Sequence, residues 1–245
     1  MNEKKILVVG DSCLDIFKYC NVNRLCPDIP VPVLSEQTEV TNGGMAMNVY
    51  NNIISLEEQC DIVTNSNWKE ITKTRFVHSG SNHTFFRADS GDIKSRIDLT
   101  LMDYDYKLIV VSDYDKGFLH VQDIEEICSN HQNVFIDSKK ILGPWISKAK
   151  YIKINDVEYR RSAKHINKDI QDKLIRTKGS CGCEFRGKTY PVQKADVKDV
   201  SGAGDTFLAA LVTNYLNTGD IVEGIKFANH CASEVVTRRG VNTIK

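Results

Sequence analysis

A chain of 245 residues, 41% hydrophobic and 26% charged, has ordinary globular usage and can bury a sizeable core, which excludes wholesale disorder. Its 32 basic and 32 acidic residues cancel, so the overall positive field of a nucleic-acid or anionic-membrane binder is excluded and acidic small molecules need local sites. The longest apolar runs, residues 6–9 and 108–111, are strand-sized, and no charged leader with an apolar stretch precedes them, so no membrane span and a cytoplasmic protein are expected. In chain order, a buried strand is predicted over 4–10, ending at a Gly-Asp turn. An edge strand follows over 30–40, marked by its prolines, then a glycine turn opening a helix over 43–56. Residues 72–78 and 82–87 alternate as a hairpin around Ser79, Gly80 and Ser81, and with 30–40 they make a small sheet apart from the main one. From Lys107, strands at 107–112, 133–137, 151–154 and 173–177, with a helix near 121–130, give the rhythm of a parallel sheet covered by helices. Two amphipathic helices close the pattern. One is 203–216, with Phe207, Leu208, Leu211, Val212, Tyr215 and Leu216 on one face; the other is 221–236, opened by Asp220 with Glu223 three residues on.

Several familiar sites are missing from the sequence. The eight cysteines carry no paired CxxC spacing and read as reduced packing thiols, and the six histidines have no HExxH spacing. Gly10 opens no GxGxxG turn and no GxxxxGK[ST] string occurs, so neither a dinucleotide fold nor a P-loop is indicated.

The informative stretch is Asp199-Val200-Ser201-Gly202-Ala203-Gly204-Asp205, immediately before the helix at 203–216. Glycines let a backbone approach a ligand closely, and the unpaired N–H groups of a helix start, with its dipole, suit negative charge. Phosphoryl transfer needs such a place beside a carboxylate that orients the attacking hydroxyl and takes its proton. Asp205, in the first turn, has that position; a lone Gly-x-Gly would equally make a plain tight turn with Asp205 favouring a helix start.

The whole seven-residue string resembles the signature of the ribokinase, or PfkB, carbohydrate kinases. That resemblance implies Gly202, Ala203 and Gly204 as anion hole and Asp205 as catalytic base. It extends in order along nearly the whole chain. Asn155-Asp156-Val157-Glu158 is similar to the family's Asn-x-x-Glu motif, implying that Asn155 and Glu158 help position magnesium and phosphate, Glu158 through water. Thr177, Gly179 and Gly182 lie in a string like the family's nucleotide-contacting turn, Asn229 where the family places a residue near adenine, and Lys139 where it has a lysine near the transferred phosphate; for Lys139, a solvated surface position is the alternative. A narrower likeness is to the kinase domain of bacterial heptose 7-phosphate kinases. It rests on Val9-Gly10-Asp11 with Asp15, Arg24-Leu25-Cys26-Pro27 leading to Pro30-Val31-Pro32-Val33, Gly43-Gly44-Met45-Ala46-Met47-Asn48, Thr72-Lys73-Thr74-Arg75, Phe86-Arg87 and Ser112-Asp113-Tyr114-Asp115-Lys116-Gly117. It implies a sugar site at Asp11, Asp15, Gly43, Gly44 and Asn48, a carboxylate and an amide bracketing vicinal hydroxyls. Asp11 and Asp15 as a turn residue and a helix cap remain the alternative. Cations for a phosphorylated acceptor would come from Arg24, Arg75, Arg87 and Lys116, unless these are surface charges.

The resemblance implies an α/β fold: a ribokinase-like three-layer α/β/α sandwich with a mostly parallel central sheet and a small β-sheet lid. Residues 1–245 would form one kinase domain, with lid strands from about 16–40 and 72–88. It implies ATP with Mg2+, allows a potassium ion near the anion hole, and allows a homodimer through the lid strands. Between Leu56 and Ile71 only a short Asn-rich connection stands where such kinases carry a longer strand and helix region, so a reduced sheet flank or cover is expected. A kinase for another sugar or a nucleoside, and a shortened, inactive sugar-phosphate-binding relative, are the rival functions.

Overall fold

The computed structural model describes residues 5–56 and 58–244, so Lys4 of the expected first strand lies outside the described residues. In chain order the elements are β1 (Ile6–Gly10), β2 (Ser12–Leu25), β3 (Pro32–Met45), α1 (Ala46–Ser55), β4 (Cys60–Thr64), β5 (Thr72–His78), β6 (Thr84–Ser90), β7 (Leu108–Asp113) and α2 (Val121–Asn130). They continue as β8 (Val134–Ser138), β9 (Tyr151–Asn155), α3 (Asp156–Ser162), α4 (Lys168–Lys173), β10 (Leu174–Thr177), β11 (Cys183–Phe185), β12 (Lys188–Tyr190), α5 (Ala203–Thr218) and α6 (Ile221–Val235).

The main sheet has the order β12-β11-β10-β9-β8-β7-β1-β4, parallel from β4 through β10 and antiparallel at β11 and β12. Side chains alternate faces along a strand, so a continuous apolar strand feeds two cores. Ile6, Val8, Leu108 and Val110 pack with α1, α5 and α6; Leu7, Val9, Ile109 and Val111 pack on the opposite side with α2 and α4. The result is the expected three-layer α/β/α sandwich. The β11–β12 hairpin, which the sequence reading passed over, turns on Arg186 and Gly187 at φ 50 and 73, the paired positive angles of a type I′ turn.

A second sheet, order β3-β2-β5-β6, stands apart. It begins earlier than the sequence suggests, at Ser12, and β3 runs on to Met45, so Gly43 and Gly44 end a strand instead of forming the turn into α1. The physical reason is pairing: Gly43 and Gly44 sit opposite Leu14 and Cys13 in the antiparallel ladder. Asn82 on the β5–β6 turn donates to Lys198 O at 2.9 Å, and Arg239 donates to Ser79 O and Gly80 O at 2.8 and 2.9 Å. The hairpin tip is thereby tied to the loop before α5 by Asn82 and to the segment after α6 by Arg239.

The connection after Leu56 holds more structure than expected. It contains β4, which extends the sheet beside β1, and its asparagines are fasteners. Asn65 accepts from Ser12 N at 2.8 Å and donates to Ser12 O at 3.2 Å, completing a strand start that β3 pairs on one side but β5 does not reach on the other, while Asn67 donates to Asp92 O at 2.9 Å. At the last helix Asp220 accepts from Val222 N and Glu223 N, but the Glu223 carboxylate pairs with Lys226, so the reciprocal half of the capping box is not made.

Candidate active site

Parallel sheets present their ligand crevice at the carboxyl ends of the strands. There β1, β7, β8 and β9 end near the start of α5. Asp205, the third residue of α5, is 5% exposed. Asn48, in the first turn of α1, donates from Nδ2 to its Oδ2 at 2.9 Å, and the Tyr114 hydroxyl donates to Oδ1 at 2.6 Å. Burial raises the Asp205 carboxyl above its ordinary range and Asp137 adds to this, while the two donors and the Lys153 charge pull it back down. Gly202 has φ 80, and a Cβ there would lie 2.9 Å from Asn48 Nδ2, so this left-handed turn beside the Asn48–Asp205 pair requires glycine.

At the helix start Ala203 N–H turns back to Val200 O at 3.2 Å, whereas the N–H groups of Gly204 and Asp205 find no backbone acceptor among the described residues. A Cβ on Gly204 would be 3.1 Å from Lys153 Nζ, so an ammonium lies against the same point. Two N–H groups, the positive helix end and Lys153 converge on one point, an arrangement that suits negative charge. Behind it runs a chain of charges: Lys153 Nζ to Asp137 Oδ2 at 2.6 Å, and Lys139 Nζ 3.6 Å from Asp137 Oδ1 and 2.5 Å from Glu158 Oε1. Burial works against the ionised Asp137, but Lys153 and Lys139 outweigh it and hold its carboxyl below the usual range. Burial also opposes the Lys139 charge, and Asp137 and Glu158 more than reverse this, raising it. Lys139 is thus ion-paired inside the network, not a solvated surface lysine.

Asn155 and Glu158 form a capping box on α3: Asn155 Oδ1 accepts from Val157 N and Glu158 N, and Glu158 Oε2 accepts from Asn155 N at 2.7 Å. Asn155 Nδ2 also donates to Glu158 Oε1, so both Glu158 oxygens are engaged. Thr177, Gly179 and Gly182 lie at the β10 end, where Thr177 Oγ1 donates to Ile154 O and Gly179 and Gly182 have φ 56 and 81. Asn229 donates to Tyr190 O at 2.9 Å and ties α6 to β12.

On the opposite side, Asp15 pairs with Arg75 at 2.7 Å, and a Cβ on Gly44 would come 3.0 Å from Asp15 Oδ2. Gly43 lies one residue before, against Met47. Asp11 is fully buried and accepts from the N–H groups of Tyr114, Lys116 and Phe118, so it builds the 114–118 loop instead of presenting a free carboxylate to a sugar. Burial first, then the nearby Asp113, raises its carboxyl. Arg87 pairs with Asp89 on its own strand, and Lys116 is exposed at the rim of a cavity of 290 Å3. Arg24 is exposed toward the far end of β2, nine residues beyond Asp15 and so roughly 30 Å along the strand. A larger cavity of 560 Å3, lined by Phe17, Arg75, Thr84, Arg87, Asp199 and Ser201, opens between the small sheet and the loop before α5.

Lys153, Asp137, Lys73 and the Tyr114 hydroxyl were given no role by the sequence. For Lys153 a signal existed: a lysine inside the otherwise apolar strand Tyr-Ile-Lys-Ile-Asn needs a buried counter-charge.

The bifunctional protein HldE of Photobacterium profundum is 27% identical over 297 aligned positions, covering 99% of this chain and 62% of the relative, so the chain spans less than two thirds of that relative's length. A ribokinase from Thermotoga maritima superposes with TM-score 0.75 at 15% identity, covering 97% of this chain and 94% of the other. A Methanocaldococcus jannaschii nucleoside kinase of the ribokinase family gives 0.74 at 17%, covering 98% and 94%. Residues 110–245 match the pfkB family carbohydrate kinase profile, more than half of the chain and the part that carries β7 through α6. With its sandwich, small sheet and α5 start, this chain belongs to the pfkB family of carbohydrate kinases.

Proposed function

We propose that this protein transfers the terminal phosphoryl group of ATP to a hydroxyl of a sugar phosphate, and that the strings shared with the heptose 7-phosphate kinases favour a heptose 7-phosphate. The observation that carries the reading is Asp205, buried between the donors Asn48 and Tyr114 beside Lys153 and two N–H groups that have no backbone acceptor among the described residues. The acceptor hydroxyl donates to the Asp205 carboxylate, and its oxygen forms a bond to the γ-phosphorus as the bond to the β-phosphate oxygen breaks. The proton passes to Asp205, and the electron pair leaves with ADP. Lys153, Lys139 and the α5 N–H groups hold the charge on the moving group.

Magnesium arriving with ATP would supply charge neutralisation to the phosphates. Among the described residues no group of three or more His, Cys, Asp or Glu is gathered as a cage, but the buried Asp137 Oδ1 has no hydrogen-bond partner there and fits a water of such an ion. Potassium is given no ligand: the Asp199 carboxylate, in the loop leading to the anion site, already accepts from Ser201 N and Gly240 N. A homodimer through the small sheet belongs to the same reading, supported by the exposed Val40 and Phe86 on its two outer strands.

The test is ADP release over a panel of neutral sugars, sugar phosphates including heptose 7-phosphate, and nucleosides. Release that depends on a sugar phosphate is expected. Release with nucleosides only, or ATP binding with no release for any acceptor, overturns it.

A further inference from the structure

The face of the small sheet that meets the site carries three cations and two carboxylates in adjoining positions. Lys73 on β5 is paired in register with Asp15 on β2 and with Asp89 on β6, so the three side chains share one face. Both carboxylates are turned away from it: Asp15 bonds Arg75 at 2.7 Å and Asp89 bonds Arg87 at 2.7 Å. Lys73 is the most buried of the three cations, at 9% exposure, and among the described residues it has no carboxylate within ion-pair distance. Its ammonium rests on the Met45 thioether at 2.7 Å, the Cys13 thiol and the Tyr114 ring, 5.3 Å from the ring centre. Sulfur atoms and a ring face replace little of the hydration that a buried ammonium loses.

Lys73 also lines the 290 Å3 cavity, with Ser12, Met45, Gly91 and Ile93 around it and Lys116 at the rim. Asp89 borders the same space with its carboxylate already held by Arg87. Tyr114 links Lys73 to the Asp205 carboxylate, since the ring that carries the ammonium sends its hydroxyl to Asp205. An anion bound at Lys73 would therefore lie on the far side of the Tyr114 ring from its hydroxyl bond to Asp205.

We propose that Lys73, with Lys116 at the rim, binds an anionic group of the acceptor, a phosphate, and makes the enzyme selective for phosphorylated over neutral sugars. Arg75 and Arg87, the more obvious cations, instead hold Asp15 and Asp89 in place. The proposal rests on the sugar phosphate kinase reading above and names the residue that reads the phosphate.

The test uses Lys73→Met, which keeps the length of the side chain and removes a buried charge. The KM for heptose 7-phosphate is expected to rise roughly 10- to 100-fold, the loss of one or two charge-assisted hydrogen bonds, with the KM for ATP unchanged. The discrimination between the phosphorylated and the free heptose should collapse to the same degree. In parallel, inorganic phosphate is titrated calorimetrically into wild type and variant with the nucleotide site filled by a non-hydrolysable ATP analogue. Wild type should bind it and Lys73→Met should not. Equal phosphate binding by both proteins, or unchanged discrimination, overturns the role of Lys73. If no acceptor is turned over at all, the kinase reading fails, and the phosphate titration still decides whether Lys73 is an anion site.

Discussion

In the proposed reaction Asp205 meets opposite demands, since a base must be ionised at working pH and burial opposes ionisation. Its carboxyl lies above the 3.8 of a free aspartate, because desolvation outweighs the two donors and Lys153. The acid limb of kcat/KM is therefore expected on the alkaline side of an ordinary aspartate, with activity lost as pH falls through it. Asp205→Asn should keep nucleotide affinity in a binding titration and lower turnover by on the order of 10^2- to 10^4-fold, since the near-isosteric amide takes no proton. Tyr114→Phe is the finer probe. The phenol is a donor that stabilises the ionised base, so its loss should move the acid limb to still higher pH. It also leaves space at Oδ1 for a water beside the base, and ATP hydrolysis without acceptor should rise severalfold. A pH profile and acceptor-free rate identical to wild type would reduce Tyr114 to a packing residue.

Two features of single elements carry consequences of different size. Asn65 satisfies both Ser12 backbone groups inside the protein, and Asn65→Ala leaves a buried donor and acceptor unmatched. That should cost about 2–4 kcal/mol and lower Tm by on the order of 5–15 °C, read by thermal unfolding. Arg239, by contrast, holds the hairpin tip by two exposed bonds, so Arg239→Ala should change Tm little. Its effect belongs to closure: with the tip released from the segment after α6, the acceptor KM should rise about 3- to 10-fold and acceptor-free hydrolysis should increase. Steady-state kinetics with and without acceptor separate the two variants.

At the scale of the whole molecule, the short connection after Leu56 leaves β4 as the last strand on its flank among the described residues, and the cover over the site is the four-stranded sheet. The outer strands of that sheet, β3 and β6, are largely exposed, and unpaired strand edges are places for another chain to dock. If a second copy completes the cover, acceptor-free ATP hydrolysis should grow on dilution as light scattering shows the mass falling to that of one chain. Tight coupling in a strictly monomeric protein would show that the latch at Asn82 and Arg239 closes the site alone.

The strands β1, β7, β8, β9 and β10 and the helices α1, α2, α5 and α6 were legible in the sequence because their signals are local: apolar runs of strand length such as 108–111, the 3.6-residue periodicity of 203–216, and Asp220 opening a helix; β4, β11, β12, α3 and α4 were not. The position of the glycines and Asp205 at a helix start was legible for the same reason. What only the tertiary structure decided is which polar groups meet. Asp11 reads like a sugar ligand yet is drawn to N–H groups more than a hundred residues away, because a buried carboxylate takes the donors that surround it. The early start of β2 and the glycine-ended β3 depend on pairing across the small sheet, and Asn65 acquires its role only when β4 and β2 come together. Lys153, Tyr114 and Lys73 gain their places from strands far apart in the chain. Sequence determines what each segment buries, but the partner of a buried charge is set by the fold, since that partner can come from any strand that ends beside it.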